Sequence, residues 1–278
     1  MAGPQSDGHE LPYIDVNGRK YRLASIPSTK ESRAKLMAPS FGDRVGILPR
    51  SEWRTISNRS RFNYIMDQKS HGSCVGHGAA GALMRARDAT GAKHVDLSGT
   101  FVYSYINGNR DQGAMISDAV DVLKEKGTCS YQKCQWDTIY QRDISDDARE
   151  EAKRYRALEI YSVGDEDPFG EFVTALMLGF IPVYAVMVGN TFTDLDNDGV
   201  CGFDRGPGNH AVTADGIGRR ANGEWLIDMV NSWNLDFGQN GRAFITEKHV
   251  EAVMQDCFIV RASTDDPQEP HDPPALIV

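Results

Sequence analysis

Long apolar runs are absent from this chain of 278 residues. A membrane-spanning helix needs roughly 18 consecutive apolar residues, and no stretch approaches that length. The most apolar segment, FVTALMLGFIPVYAVMVG, contains Gly179 and Pro182 near its middle, which predicts a helix that ends and is followed by a buried strand. The opening residues, MAGPQSDGHELPY, show neither the charged nor the apolar region of a signal peptide. We therefore expect no membrane partner and no export.

Positive charge is also scarce, because 39 acidic residues face 30 basic ones and the net charge is −9. No basic stripe with interleaved aromatic residues occurs, so nucleic acid is not expected as a partner. The five cysteines are odd in number and low in density, unlike those of a secreted disulfide scaffold. We expect reduced thiols and a cytoplasmic or virion-associated protein, and no pattern indicates an oligomeric state.

The chain divides by composition into four regions. Residues 1–44 are polar and predict an N-terminal arm or short pro-segment, with one short strand in RKYRLAS. Residues 45–165 or so are mainly helical, and residues 166–263 are mainly strands. The remaining residues, 264–278, are rich in Pro and Asp and are expected to be disordered.

Periodicity and turn residues place the main elements. A helix is predicted from about Cys74 to Asp88, closed by Gly91, and a second within GAMISDAVDVLKEKG, closed by Gly127. A charged, exposed helix is predicted over DISDDAREEAKRYRAL. Short segments rich in β-branched and aromatic residues predict strands, and these segments are IPVYAVMV, HAVTADGIG, GEWLIDMVNSW and GRAFIT.

Cys74 lies where the first of these helices begins. A helix N-terminus carries partial positive charge and free N–H groups, which lower the pKa of a thiol and favour the nucleophilic thiolate. Three glycines in the following turns, Gly76, Gly78 and Gly81, weaken the helix unless neighbours must pack very close to it. A buried structural cysteine is the commoner explanation of a cysteine considered alone. Whether catalytic partner residues exist elsewhere in the sequence therefore decides if Cys74 is a nucleophile or a structural residue.

Suitable partners occur in the strand-rich half. His210 begins an apolar strand 136 residues after Cys74, and Asn231 follows 21 residues later. A cysteine nucleophile needs a histidine as base, and that histidine needs an orienting group. The three residues predict a Cys–His–Asn site between a helical and a sheet lobe, where clefts commonly form.

Between Leu48 and Ile259 the chain resembles the papain-like cysteine peptidases, with the bacterial and phage-type branch nearest in character. The segments that carry the resemblance follow the family order: LPRSEWR, DQKSHGSCVGHGAA, LSGTFVYSYI, DQGAMISDAVDVLKEKGTCSY, IPVYAVMV, NHAVTADGIG and MVNSWNLDFGQNGRAFI. The resemblance implies an α+β fold of two lobes with a cleft between them. A central nucleophile helix belongs to the helical lobe, and the other lobe is a β-barrel-like antiparallel sheet.

The resemblance also implies catalytic roles. Cys74 would attack the scissile carbonyl of a protein or peptide substrate, and His210, oriented by Asn231, would hold the thiolate and protonate the leaving amine. Gln68 would donate to the oxyanion together with the Cys74 N–H. Residues expected around the substrate are Gly113, Val186, Ala211 and Trp233, with Trp233 also shielding the Asn–His hydrogen bond.

Several positions depart from the family pattern. His71 stands where the family often has a cysteine bonded to a cysteine of the glycine-shelf loop, and that loop, NGNRDQG, has none. Asn234 and Phe237 replace a glycine and a tryptophan after Trp233, which changes the expected pocket shape. Only about 45 residues precede LPRSEWR, so we expect an enzyme that its N-terminal segment inhibits little.

Two metal sites are weaker hypotheses, and no other cofactor is expected. His71, Cys74 and His77 have spacing that zinc ligands can use, but no fourth ligand is evident. DLDNDG matches the first half of a calcium loop through Asp194, Asp196 and Asp198, yet its twelfth position is Arg205 instead of glutamate. The cysteines outside the nucleophile position are taken as structural, and they are Cys129, Cys134, Cys201 and Cys257.

Two other functions stay open at the level of sequence. The first is a papain-like module without activity that serves in binding or as a structural component. The second is an amidase or other acyl transferase with the same Cys–His–Asn site.

Overall fold

The structure, a computed structural model, describes residues 11–60, 64–164, 166–204, 208–252 and 256–262. Within these ranges the chain forms eight α-helices and ten β-strands. The helices are α1 (Lys30–Leu36), α2 (Phe41–Val45), α3 (Cys74–Ala89), α4 (Gly99–Ile106), α5 (Ile116–Glu125), α6 (Asp146–Ala152), α7 (Pro168–Met177) and α8 (Glu247–Glu251). The strands are β1 (Tyr13–Val16), β2 (Arg19–Arg22), β3 (Ser25–Ile26), β4 (Ala114–Met115), β5 (Ala157–Ser162), β6 (Ile181–Val186), β7 (His210–Arg219), β8 (Trp225–Val230), β9 (Arg242–Thr246) and β10 (Cys257–Ala262).

The N-terminal arm has more structure than its polar composition predicts. β1 and β2 form an antiparallel hairpin across Asn17 and Gly18, both of which have positive φ. Asn-Gly favours this tight turn because both residues tolerate the left-handed region. After the hairpin, β3 pairs in parallel with β4 of the helical lobe, so the arm is part of the folded body. The tail expected to be disordered, 264–278, lies outside the described residues.

Helix α3 lies between α4 and the sheet, which explains its glycines. A Cβ added at Gly76 would lie 2.3 Å from the carbonyl oxygen of Gly99, at the start of α4. On another side, a Cβ at Gly78 would lie 3.4 Å from the backbone of β7 at Ala211 and Val212. The prediction of a central helix held by close neighbours is therefore confirmed, and its predicted end at Asp88 was one residue early.

The sheet has six antiparallel strands in the order β5-β10-β6-β7-β8-β9. Within the described residues β5 and β9 remain its two edges, so the sheet is open and the barrel-like description was wrong in that respect. The four predicted strands correspond to β6–β9, whereas β5 and β10 were not predicted. The helix predicted over DISDDAREEAKRYRAL was too long, because α6 ends at Ala152 and Ala157 already begins β5.

A buried ionic cluster joins the helical lobe to the sheet behind the nucleophile helix. Asp215 of β7 has no exposed side-chain surface and accepts hydrogen bonds from Arg85 of α3 at 2.9 Å and from Arg242 of β9 at 2.6 and 2.9 Å. A buried carboxylate left without such donors is strongly destabilising. The cluster thus fixes α3 against β7, the two elements that carry Cys74 and His210.

All five cysteines are free and buried. In the helical lobe, a hydrogen bond with the Cys134 thiol and burial raise the pKa of the Cys129 thiol. In the described part of the chain, none of the helices combines the length and hydropathy needed to cross a bilayer.

Candidate active site

Cys74 is the first residue of α3, as predicted, and its side chain has no exposed surface. Burial raises the pKa of its thiol to about 11, although backbone N–H groups of Ala211 and Ala24 face the sulfur and oppose this rise. The helix N-terminus alone therefore does not produce a thiolate in this conformation. The contact with Ala211 also shows that the sulfur lies against the first residues of β7, where His210 is located.

His210 and Asn231 lie side by side because β7 begins where the adjacent antiparallel strand β8 ends. The Nε2 of His210 is 2.7 Å from the Oδ1 of Asn231, and the Trp233 ring stacks on the imidazole at a centroid distance of 4.4 Å. Since an amide oxygen can only accept, Nε2 carries the proton and Nδ1 is left as an acceptor. Within the described residues Nδ1 has no hydrogen-bond partner. Neutral His210 can therefore accept a proton at Nδ1.

Burial has the dominant effect on this histidine too. It lowers the pKa of His210 to about 4, while the hydrogen bond that His210 donates to Asn231 acts in the opposite direction. His77, one turn into α3, is also buried, and desolvation lowers its pKa to about 4. Its Nδ1 donates to the carbonyl of Ser73 at 2.9 Å, in agreement with the predicted packed core residue. Both imidazoles are neutral at pH 7.

These two histidines predict a loss of stability in acid. An unfolded histidine takes up its proton near pH 6.5, whereas the folded ones resist it down to about pH 4. The free energy of unfolding is therefore not reduced by these histidines above pH 6.5, and it falls as the pH drops toward 4. Each of the two histidines should lower the free energy of unfolding by about 2–3 kcal/mol between pH 7 and pH 4.5. Urea unfolding at several pH values measures the loss, and His77→Asn, which keeps a donor for Ser73, should reduce it by about 2–3 kcal/mol. An unchanged pH dependence in this variant would contradict the assignment.

Gln68 is buried beside the Asn231 segment, and its amide is held at both ends. Its Oε1 accepts from the Ser232 hydroxyl at 2.9 Å, and its backbone N–H donates to the Ser232 carbonyl at 2.9 Å. Its Nε2 donates to the carbonyls of His71 at 3.0 Å and Arg22 at 3.1 Å. Ser232 was missed by the sequence analysis, and only its place next to Asn231 could have drawn attention to it.

The N-terminal arm fills the cleft at the place predicted for an extended peptide. Ser25 donates its N–H to the Asn209 carbonyl at 3.0 Å, and the carbonyl of Ala24 accepts from the N–H of Ala114 at 3.1 Å. Gly113 lies so close that a Cβ there would be 2.2 Å from the Ala24 oxygen. The expectation that the N-terminal segment inhibits little disagrees with this arrangement, because the arm covers Cys74.

The remaining candidates for substrate contact are buried in this conformation. Val186 of β6 is opposite His210, and Ala211 is opposite Ala185 in the same strand pair. Trp233 lies between His210 and the ring of Tyr21 from the arm, which stacks on it at 5.7 Å. The structure therefore groups these residues around His210 without giving them solvent access.

The two metal hypotheses find different surroundings. Arg220 forms ion pairs with Asp196 and Asp198, and the Oδ1 of Asp196 accepts from two backbone N–H groups. His71 and His77 bind other groups, Asp111 and Ser73. Within the described ranges no three His, Cys, Asp or Glu side chains converge as metal ligands do.

Comparison with known proteins finds similarity to papain-family cysteine proteases. A family model described as the papain family cysteine protease matches residues 48–262. Xylellain, a cysteine protease from Xylella fastidiosa, is 19% identical, with a TM-score of 0.61 over 92% of this chain and 96% of that one. The proform of Amb a 11, a ragweed pollen cysteine protease, is 15% identical, with a TM-score of 0.66 over 87% of this chain and 75% of that one. Procathepsin L 3 from Tenebrio molitor larval midgut is also 15% identical, with a TM-score of 0.60 over 86% of this chain and 83% of that one. No curated protein sequence matches significantly.

Proposed function

Since the chain belongs to the papain family of cysteine proteases, we propose that it is an endopeptidase whose nucleophile is Cys74 and whose general base is His210. The observation that carries the proposal is the 2.7 Å contact between His210 and Asn231, which leaves Nδ1 free as an acceptor beside the segment that touches the Cys74 sulfur. An amidase or acyl transferase could use the same groups, but no observation favours it.

The reaction follows from these positions. His210 takes the thiol proton, the Cys74 sulfur attacks the carbonyl carbon, and the imidazolium then gives the proton to the departing amine nitrogen. Water hydrolyses the resulting thioester by the same proton route in reverse. Gln68 Nε2 and the N–H of Cys74 donate to the carbonyl oxygen as its negative charge grows. Asn231 keeps the ring in the tautomer that the first step needs.

The arm must leave before this reaction can occur. It covers the sulfur, its carbonyls take up the donors of Gln68 and Ala114, and burial keeps both Cys74 and His210 neutral. Removal of the arm would expose both groups to water, which lowers the pKa of the thiol and raises that of the imidazole. The thiolate–imidazolium pair thus belongs to the open state.

Ser25→Pro is expected to raise peptidase activity roughly tenfold, because proline removes the N–H that donates to Asn209 and its ring opposes the strand pairing. Lys30→Pro is the matched control, since Lys30 is the first residue of α1 and proline is favoured at that position. Initial rates on a fluorogenic peptide measure both variants. Equal rates in the two would show that the arm does not limit access.

Labelling with a peptide epoxide tests the proposed nucleophile. The reagent should modify one cysteine per chain, found by peptide mass mapping at Cys74, and should abolish hydrolysis of denatured protein. Cys74→Ala should take up no label, because the reagent reacts with the thiolate that His210 is proposed to generate and the other four cysteines are buried. Absence of both labelling and hydrolysis in Ser25→Pro as well as in wild type would favour the module without activity. Transfer of the acyl group to an added amine in preference to water would favour the acyl transferase.

A further inference from the structure

The carboxylate of Asp111 lies beside the cleft and binds four groups. Its Oδ1 accepts from the Gly72 N–H at 2.8 Å and from the Tyr103 hydroxyl at 2.9 Å. Its Oδ2 is 2.9 Å from Nη1 of Arg22 in the arm and 3.3 Å from Nδ1 of His71. Oδ1 thus binds two residues of the site itself, and Oδ2 binds the side chain of Arg22 in the arm, which must leave before a substrate can enter.

The frame contacts place this carboxylate close to the proposed chemistry. Gly72 is two residues before Cys74, and the Tyr103 hydroxyl also accepts from the N–H of Gly113 at 3.1 Å. Asp111 therefore fixes the loop before the nucleophile relative to the glycine shelf. Its position does not depend on Arg22, since Gly72 and Tyr103 hold it when the arm is absent.

Asp111 is charged in this setting. Burial by itself would raise the pKa of the carboxyl, but hydrogen bonds from His71, Tyr103 and the Gly72 N–H outweigh burial and lower it. The side chain is 16% exposed, so its attraction for a cation is screened less than that of a fully solvated carboxylate. The net charge of the whole chain, −9, also favours the approach of basic peptides.

Arg22 shows how a peptide residue occupies this place. Its carbonyl oxygen accepts from Gln68 Nε2, the proposed oxyanion donor, while its guanidinium reaches Asp111. In a substrate, the residue whose carbonyl meets that donor is the one on the acyl side of the scissile bond. We propose that Asp111 is a specificity-determining residue that selects arginine, and more weakly lysine, at that position of the substrate. The inference rests on the proposed peptidase function.

The wall next to Asp111 suits an arginine side chain. The ring of Trp136, 38% exposed, stacks on His71 at a centroid distance of 5.5 Å. Aromatic faces accept both the aliphatic stem and the planar guanidinium of arginine. The guanidinium fork also matches a carboxylate better than the ammonium group of lysine does.

Two fluorogenic peptides that differ only at this residue, arginine in one and its neutral isostere citrulline in the other, test the proposal on the full-length protein. The ratio of their kcat/KM values is independent of the fraction of molecules with a displaced arm, because both peptides compete with the same arm. Wild type should prefer arginine about tenfold or more, as expected for a hydrogen bond to a charged group. Asp111→Asn keeps an oxygen for Gly72 and Tyr103 and should reduce the ratio to below about threefold.

Asp236→Asn is the matched control. Asp236 forms an ion pair with Arg19, another arginine of the arm, at 3.2 Å. The variant therefore also removes one negative charge that pairs with an arginine of the arm, but not the carboxylate of Asp111. It should keep the wild-type preference. Loss of the preference in both variants would assign it to net charge and overturn the proposal.

A binding measurement separates this inference from the proposed function. Fluorescence anisotropy on full-length Cys74→Ala, with peptides that end in arginine or citrulline, reports the same selectivity without cleavage. Selective binding together with absent hydrolysis in wild type would contradict the peptidase function and would still identify Asp111 as a residue that selects arginine in a bound peptide. Equal binding of the two peptides would overturn the inference, even if Asp111→Asn failed to fold.

Discussion

His210→Ala is expected to lower kcat for peptide hydrolysis by about 10³- to 10⁴-fold, because the variant has no group to take the Cys74 proton or to protonate the leaving amine. Without the imidazole, the open state has no cation to stabilise the thiolate, so less thiolate forms at pH 7. The measurement is the initial rate on a fluorogenic peptide at saturating concentration. KM should change much less, since the proposed role of His210 is proton transfer and not substrate binding.

His94→Ala provides the control for loss of a histidine. His94 lies beyond the end of α3, is 45% exposed, hydrogen-bonds to Asp88 and Asp96, and has an edge-on contact with the ring of Tyr64. Its replacement should leave kcat within about twofold, as is usual for surface substitutions. A His210→Ala enzyme with more than a tenth of wild-type activity would show that another group serves as the base.

The elements that the sequence predicted well are those with a local signal at each end. Helix α3 begins at Cys74 and is closed after Ala89 by Gly91, whose φ is +85°, so the glycine that ends the helix was visible in the sequence. Gly179 likewise separates α7 from β6 as expected. In these cases the residue that breaks the helix acts through its own backbone, independently of the rest of the fold.

The elements that were missed depend on distant partners. β5 follows a segment of strong helix formers, and Ala157–Ser162 becomes a strand because it pairs with β10 about a hundred residues later. The hairpin in the arm was a different kind of miss. Asn17-Gly18 between alternating residues is a recognised turn signal, so β1 could have been predicted together with β2.

The candidate site was predictable in its residue types and not in its present state. The separation of His210 from Cys74 follows a family pattern and that of Asn231 lies slightly beyond it. The structure brings His210 into contact with Asn231 and places Cys74 against the next residue of β7. Nothing local indicates that residues 22–26 fill the cleft, because the contacts of Ser25 and Ala24 are backbone hydrogen bonds to segments roughly 90 and 180 residues away. Backbone groups are the same in every residue and therefore leave no trace in the sequence.

Gln68 carries the second large expected effect. Its amide is oriented before any substrate arrives, since Ser232 holds Oε1 and the fixed carbonyls of His71 and Arg22 receive Nε2. When a substrate replaces the arm, the Nε2 donor that now meets the Arg22 carbonyl is available to the reacting carbonyl. The hydrogen bond strengthens as that oxygen gains negative charge, so its contribution appears mainly in the transition state.

Gln68→Ala should therefore lower kcat by about 10²- to 10³-fold while changing KM only a few-fold. The substitution also removes a contact to the arm, which by itself would raise the rate. Rates must for that reason be divided by the concentration of reactive Cys74, titrated with a peptide epoxide. Gln132→Ala, an exposed glutamine of the helical lobe, controls for loss of the side chain. A variant that kept its kcat but bound substrate weakly would show that Gln68 positions the peptide and does not stabilise the oxyanion.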